Sequence, residues 1–182
     1  TYLDVPPDWL GEAFIEEAER LKEINPRAYQ HEYMGEAVGS GSDVFENLIA
    51  REITDKEIEN MRMVYQGVDF GFFPDPTAFV RVAYDQKTET IYLLDEIYAK
   101  SMRNTVLAAT IKERSYHNWK LTGDCADPRS IADLRDNGIT CQPCRKFAGC
   151  VPYRLRWIQH RKIVIDPKRT PEAYREFTEY SY

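Results

Sequence analysis

The order of the predicted elements constrains the fold more than any other feature of this chain. Runs of β-branched and aromatic residues at 64–70, 78–84 and 90–97 are separated by turn residues, which predicts three strands in succession. From about Arg103 to Tyr182, segments with helical and strand patterns alternate. Three antiparallel strands followed by a βα alternation predict a mixed α/β sheet.

The alternating part can be divided further. Helices are predicted at 103–116, 128–136, 153–159 and 171–182, and strands at 119–123, 139–142 and 163–165. Thr170 precedes Pro171 and is a candidate N-cap for the last helix.

Residues 1–62 are predicted to form a helical appendage to a sheet domain at 63–182. Apolar residues between Trp9 and Ile24 recur at three- and four-residue steps, which predicts an amphipathic helix that Asn25-Pro26 ends. Shorter helices are predicted at 27–34 and 54–60, with Gly39-Ser40-Gly41-Ser42 as a linker between them.

Charge is unevenly distributed along the chain. The net charge of −6 is the sum of −12 in residues 1–100 (9 basic, 21 acidic) and +6 in residues 101–182 (15 basic, 9 acidic). The basic half permits a local DNA-facing surface, although a solvated surface of mixed charge gives the same count. No apolar run approaches the roughly 18 residues of a membrane span, and the first residues do not resemble a secretion signal, so we expect a cytosolic protein.

Asp69 is the first candidate catalytic residue. It interrupts an apolar strand and is followed by Phe70-Gly71. A carboxylate buried beside a core is costly unless a metal or hydrogen bonds compensate, so Asp69 is a candidate metal ligand. The alternative is a strand-end acid that accepts backbone hydrogen bonds.

Asp124 is the second candidate, because it directly follows a predicted strand and precedes a helix. Asp127 is its competitor, but with Pro128 at the first helical position Asp127 is better suited to cap that helix. In ribonuclease H-like sheets the first and fourth strands are neighbours, so Asp69 and Asp124 are expected to share divalent metal although they are 55 positions apart (124 − 69). Glu96 in the third strand is a weaker candidate ligand, and alternation there favours a solvent-facing side chain.

The four cysteines lie at 125, 141, 144 and 150, all in the basic half. Cys141-Gln-Pro-Cys144 with Cys150 is a conceivable zinc site, with His160 or Cys125 as the fourth ligand. Reduced cytosolic thiols are the simpler interpretation, because the chain lacks a second clean ligand pair.

Several segments together resemble the carboxy-terminal part of tailed-phage large terminases. The segment at 29–35 is similar to a Y-x-x-E-x-x-G stretch that closes the ATPase half of that family. The segments at 68–71 and 75–78 resemble its first nuclease motif, and 123–128 resembles its second. The segments 157–159 and 162–165 are similar to a later block.

The resemblance implies a ribonuclease H-like nuclease that cuts double-stranded DNA with Mg²⁺ or Mn²⁺, two ions in the complete site. Asp69 and Asp124 match its first two metal-binding acids. A third motif, H-x-x-D-A-x-R-Y, is absent, so we expect a domain truncated at its carboxyl end and a weakly active fragment. The ATPase half of the same polypeptide, the small terminase subunit and the portal are the implied partners, in the host cytoplasm. Arg129, Arg145, Lys146 and Arg154 are candidate contacts to the DNA backbone.

Two other functions remain open at this level. A ribonuclease H-like transposase or integrase core also carries an acid on its first strand. Alternatively, residues 101–182 are a non-enzymatic binding module stapled by zinc.

Overall fold

The computed structural model describes residues 1–35, 44–45 and 47–180. The linker predicted at Gly39-Ser40-Gly41-Ser42 lies outside these ranges. A 3-10 helix at Tyr2–Asp4 is followed by α1 (Pro7–Leu10), α2 (Glu12–Ile24), α3 (Pro26–Glu32), β1 (Leu48–Ala50), α4 (Asp55–Asn60), β2 (Val64–Asp69), β3 (Thr77–Asp85), β4 (Thr90–Ala99), α5 (Asn104–Glu113), β5 (Leu121–Gly123), α6 (Pro128–Asp136), β6 (Cys141–Pro143), α7 (Cys150–Gln159), β7 (Lys162–Ile165) and α8 (Pro171–Glu179).

All seven strands form one mixed sheet in the order β1-β7-β4-β3-β2-β5-β6. The pairs β2–β3 and β3–β4 are antiparallel, whereas β2–β5, β5–β6, β4–β7 and β1–β7 are parallel. This confirms the ribonuclease H-like α/β fold and places the first and fourth predicted strands, β2 and β5, side by side. It also contradicts the separate zinc-stapled module at 101–182, because β5, β6 and β7 are strands of the common sheet.

Helices cover both faces of the sheet. On one face, side chains of β2 to β6 pack against α5 and α6 in a first core of eleven buried residues. On the other face, α8 packs over β4 and β7 in a second core around Leu93, Ile163, Ile165 and Ala173. Strands between two helical layers are stable because each face buries the alternate side chains of every strand.

The strand β1 was not predicted. Its three residues are too few to show a two-residue alternation, and Ile49 remains 44% exposed. It pairs with β7 from Leu48↔Ile163 to Ala50↔Ile165 and therefore joins the edge of the sheet. The sheet thus includes a strand that precedes residue 63, where the predicted sheet domain begins.

The N-terminal helices form a small core of their own, in which Ala18, Leu21 and Tyr29 are buried. Arg20 of α2 pairs with Glu89 beside β4, which links this cluster to the sheet. No helix in the described ranges has the length and apolar composition needed to span a bilayer. The division of the chain at 62/63 stays a proposal.

Candidate metal centre

Asp69 and Asp124 lie at the carboxyl ends of neighbouring parallel strands. Asp69 is the last residue of β2, and Asp124 directly follows β5. The register pairs Val68 with Gly123, and the backbone N–H of Asp124 donates to the carbonyl of Val68 at 3.2 Å. Adjacent strands are about 4.8 Å apart, so the backbones of the two acids are neighbours at the carboxyl ends of β2 and β5.

Asp69 projects from the face of the sheet opposite the first core. Val68 of β2 and Leu121 of β5 belong to the first core, under α5 and α6. Side chains alternate along a strand, so Asp69 lies on the opposite face. Asp124 follows directly after Gly123, the register partner of Val68, so it is next to Asp69 in the neighbouring strand's sequence.

Two glycines near the acids lie where packing leaves no room for a side chain. A Cβ at Gly71 would lie 2.3 Å from the carbonyl oxygen of Pro76, so the loop after β2 can fold back only over glycine. A Cβ at Gly123 would lie 2.9 Å from the ring of Phe70, which packs against the first core. Each acid is thus next to or near a glycine that packing requires.

The Asp69 side chain is exposed, which corrects the sequence argument that it is buried beside the core. Within the described ranges, no protein hydrogen bond or ion pair contacts this carboxylate. The alternative of a strand-end acid satisfied by backbone donors is therefore not what the structure shows. Both oxygens of Asp69 are available to a ligand from solution.

Asp124 is half-buried and has three protein partners. The ammonium group of Lys146 lies 2.5 Å from Oδ1, the backbone N–H of Ala126 donates to Oδ1 at 3.3 Å, and the Cys144 thiol donates to the same oxygen at 3.7 Å. The hydrogen bond from Lys146 is the main reason that the pKa of Asp124 is lowered from its ordinary value. All three contacts are to Oδ1.

Asp127 caps α6, as predicted. Its Oδ1 accepts from the backbone N–H of Ser130 at 3.0 Å, and its Oδ2 accepts from the Ser130 hydroxyl at 2.6 Å. These bonds lower the pKa of Asp127. Because both oxygens are engaged within the helix cap, we leave Asp127 out of the proposed ligand set.

Glu96 caps α8 from a distance in sequence. Its two carboxylate oxygens accept from the backbone N–H groups of Glu172 at 2.9 Å and Ala173 at 2.8 Å. The expected solvent-facing side chain is therefore wrong. Thr170 occupies the N-cap position, but its hydroxyl donates to the Asp166 carbonyl at 3.3 Å and does not cap α8. We also leave Glu96 out of the ligand set.

The remaining pair fits a hard divalent cation. Asp69 and Asp124 offer carboxylate oxygens, the ligands that Mg²⁺ and Mn²⁺ prefer. Asp69 has no competing protein donor in the described ranges, and Oδ2 of Asp124 is outside the contacts made by Lys146.

The four predicted DNA contacts, Arg129, Arg145, Lys146 and Arg154, are all exposed. Lys146 is anchored to Asp124, and Arg154 of α7 donates to the carbonyl of Arg145. Three of the four therefore lie on or against the segment beside Asp124. Their role in binding DNA stays a prediction.

The zinc site considered as an alternative around the CxxC is not assembled. Cys141 belongs to the first core at 1% exposure, and Cys150 is buried at the start of α7. His160 instead contacts Glu32 at 3.2 Å. Among the described residues, the group that brings three possible ligand atoms within 4.8 Å of one another is Asp124, Cys125 and Cys144. The sequence signal that could have indicated this group is Cys125, which directly follows the candidate catalytic acid Asp124.

Comparisons with known proteins agree on one family. The family model described as "Terminase RNAseH like domain" matches residues 69–182. The large terminase subunit of Bacillus phage SPP1 is 41% identical over 187 aligned residues, which cover 100% of this chain and 44% of that protein. This chain thus spans less than half the length of that relative.

Solved structures are similar as well. The crystal structure of the g2p (large terminase) nuclease domain from bacteriophage SPP1 with bound Mn has a TM-score of 0.73 and 37% identity, over 76% of this chain and 81% of that one. The large terminase nuclease from thermophilic phage G20c with bound magnesium has a TM-score of 0.53 and 17% identity, over 79% of this chain and 82% of that one, and supports the fold alone.

Proposed function

Because this chain belongs to the terminase ribonuclease H-like domain family, as the nuclease domain of a phage large terminase, we propose that it is a metal-dependent endonuclease that cuts concatemeric double-stranded DNA. The observation that carries this proposal is the parallel register of β2 and β5, with Asp69 and Asp124 side by side at their ends. Mn bound to the SPP1 nuclease domain supports the choice of cation.

Asp69 and Asp124 would hold Mg²⁺ or Mn²⁺, and two ions are expected in the complete site. When bound, such ions supply an activated water and stabilise charge on the leaving 3′-oxygen of a phosphodiester. Asp69 is free of protein donors in the described ranges and can therefore be a direct ligand. Lys146 favours the ionised form of Asp124, which is the form that binds a cation.

The basic residues near Asp124 have a supporting role in this proposal. Arg129, Arg145 and Arg154 are exposed and can contact phosphate oxygens without reading the base sequence. Such contacts position the duplex over the carboxylates.

The wider setting is also a proposal. Because the SPP1 relative is more than twice as long as the matched region, we propose that an ATPase half belongs to the same polypeptide. The small terminase subunit and the portal are proposed as packaging partners, and the host cytoplasm as the place of action.

A transposase or integrase core has the same class of fold and is not separated from a terminase nuclease by the sheet topology. The family match separates them, because it is to terminase domains across residues 69–182. We therefore do not retain the transposase alternative.

The test is Asp69→Asn in the complete polypeptide, assayed on supercoiled plasmid DNA with Mn²⁺. We expect cleavage to fall by about 100-fold or more, since charge stabilisation by a catalytic ion accounts for several kcal/mol. Asp136→Asn is the matched control, because Asp136 is an exposed acid at the end of α6. Cleavage by the Asp69 variant at the rate of the control would refute the assignment.

A further inference from the structure

A carboxylate and two thiols converge just beyond the end of β5. One ligand atom from each of Asp124, Cys125 and Cys144 lies within 4.8 Å of the other two. The backbone N–H of Cys144 donates to the carbonyl of Gly123 at 2.8 Å, so the segment after β6 is fixed against the end of β5. All three side chains are half-buried and therefore accessible from solvent.

This ligand set differs in chemistry from the carboxylate pair. Thiolates are soft ligands that favour Zn²⁺ and similar ions, whereas Mg²⁺ and Mn²⁺ favour oxygen. With Zn–S near 2.3 Å and Zn–O near 2.0–2.2 Å, ligand atoms on one zinc ion lie about 4 Å or less apart, so a small side-chain adjustment brings these three into range. Three protein ligands leave a fourth position for water.

We propose that Asp124, Cys125 and Cys144 form a binding site for a thiophilic divalent cation such as Zn²⁺, and that this site shares Asp124 with the proposed nuclease centre. The shared acid makes the two sites competitors. An ion held by the thiols would also hold the Asp124 carboxylate, which would then be less available to an ion at Asp69.

Lys146 forms an ion pair with Oδ1 of Asp124, the oxygen for which a bound cation would compete. Its ammonium lies 2.5 Å from Oδ1 of Asp124, the oxygen that also accepts from the Cys144 thiol. The Lys146 side chain is 49% exposed, so it can swing into solvent when a cation takes its place. Binding at the thiols would then reduce Mn²⁺-supported cleavage; this consequence and the competition for Asp124 rest on the proposed nuclease function, whereas cation binding at the thiols does not.

Co²⁺ is a suitable probe, because thiolate coordination gives it a charge-transfer absorption that oxygen ligands do not. In a titration of the reduced protein, we expect this absorption to saturate at one Co²⁺ per chain and to disappear when Zn²⁺ is added. Cys125→Ser and Cys144→Ser should each weaken binding by at least about tenfold, because even outer-shell changes at metal sites cost that much. Cys150→Ala is the matched control, since Cys150 lies buried in α7 outside the cluster.

Absence of a thiolate band in the wild-type protein would overturn the proposal, as would a band of equal affinity in both serine variants. Far-UV circular dichroism on each variant verifies that the fold is retained. Cleavage assays separate the two proposals, because the Co²⁺ titration reads the thiols whether or not the protein cuts DNA. If the nuclease proposal holds, added Zn²⁺ should inhibit the wild-type protein more strongly than the Cys125→Ser, Cys144→Ser double variant at the same Mn²⁺ concentration.

Discussion

Asp69 and Asp166 are both acids at the end of a strand, yet they differ in exposure and in the hydrogen bonds that they accept. Asp69 ends β2, is exposed, and has no protein donor in the described ranges. Asp166 follows β7, is 3% exposed, and accepts from the backbone N–H groups of Ile53 at 3.0 Å and Lys168 at 2.9 Å. The position of an acid at the end of a strand therefore does not identify a metal ligand. What distinguishes the two is burial and hydrogen bonding, because each oxygen of Asp166 already accepts from a backbone N–H in the interior, whereas Asp69 is open to solvent.

The pKa of Asp166 reflects this saturation. Burial alone would raise it, but the hydrogen bonds from the amides of Ile53, Lys168 and Arg169 outweigh burial and lower it below its ordinary value. Asp166 is thus held ionised in the interior by backbone N–H groups and by the guanidinium of Arg169, whose Nε lies 3.8 Å from Oδ2. Asp166 therefore stabilises the fold, whereas Asp69 and Asp124 are proposed to bind a metal ion.

The largest expected effect on stability comes from Asp166→Ala. We expect the free energy of unfolding to fall by about 3 kcal/mol, since the buried N–H of Ile53 loses its acceptor at about 1–3 kcal/mol and the N–H of Lys168 and the guanidinium of Arg169 lose theirs as well. The folded pKa is lowered, so the contribution is complete above the unfolded pKa of about 3.9 and is lost as the pH falls through the lower folded value. Urea denaturation at pH 7 and at lower pH measures both.

Asp136→Ala is the control for this experiment, because it removes an exposed carboxylate from α6. If the free energy of unfolding falls no more in the Asp166 variant than in the control, the buried, hydrogen-bonded acid does not differ in stability from an exposed one.

A smaller effect is expected from Glu96→Gln. The amide has one oxygen and no charge, so it cannot serve both N–H groups at the start of α8, and we expect a loss of about 1 kcal/mol in the free energy of unfolding. Mn²⁺ affinity, measured by calorimetry, should stay unchanged. Glu113→Gln, an exposed acid at the end of α5, is the control. A marked loss of Mn²⁺ affinity in the Glu96 variant alone would return Glu96 to the ligand set.

The smallest effect is expected from Lys146→Met, which removes the ion pair of Asp124 and so leaves it, like Asp69, without a charged protein partner among the described residues. The pKa of Asp124 should rise toward its ordinary value, since the hydrogen bond from Lys146 is the main cause of its lowering. The variant's carboxylate should then protonate at a higher pH than in the wild-type protein. Carboxyl NMR titration measures the shift, and Lys120→Met, which changes an exposed lysine before β5, should leave it unaltered.

Much of the fold was predictable because its signals are local. The runs at 64–70, 78–84 and 90–97 correspond to β2, β3 and β4, and Asp127 before Pro128 caps α6. The strand β1 was not predictable, because three residues carry no periodicity and its pairing with β7 joins segments far apart in sequence.

The sequence indicated the two candidate acids, but it did not indicate which side chains contact them. Asp69 and Asp124 follow from strand-end positions, whereas the contact of Lys146 with Asp124 spans a helix and β6. The burial predicted for Asp69 was wrong, since a residue at the very end of a strand can face solvent although the strand is apolar.

The sequence by itself determined the order of helices and strands from β2 onward and the presence of acids where β2 and β5 end, because periodicity and capping act between residues a few positions apart. Only the tertiary structure decided which acids are free. The donors to Asp166 include Ile53, 113 positions away, and those to Glu96 lie 76 and 77 positions away. Such hydrogen bonds form only when the sheet has brought distant segments together, so no local pattern records them.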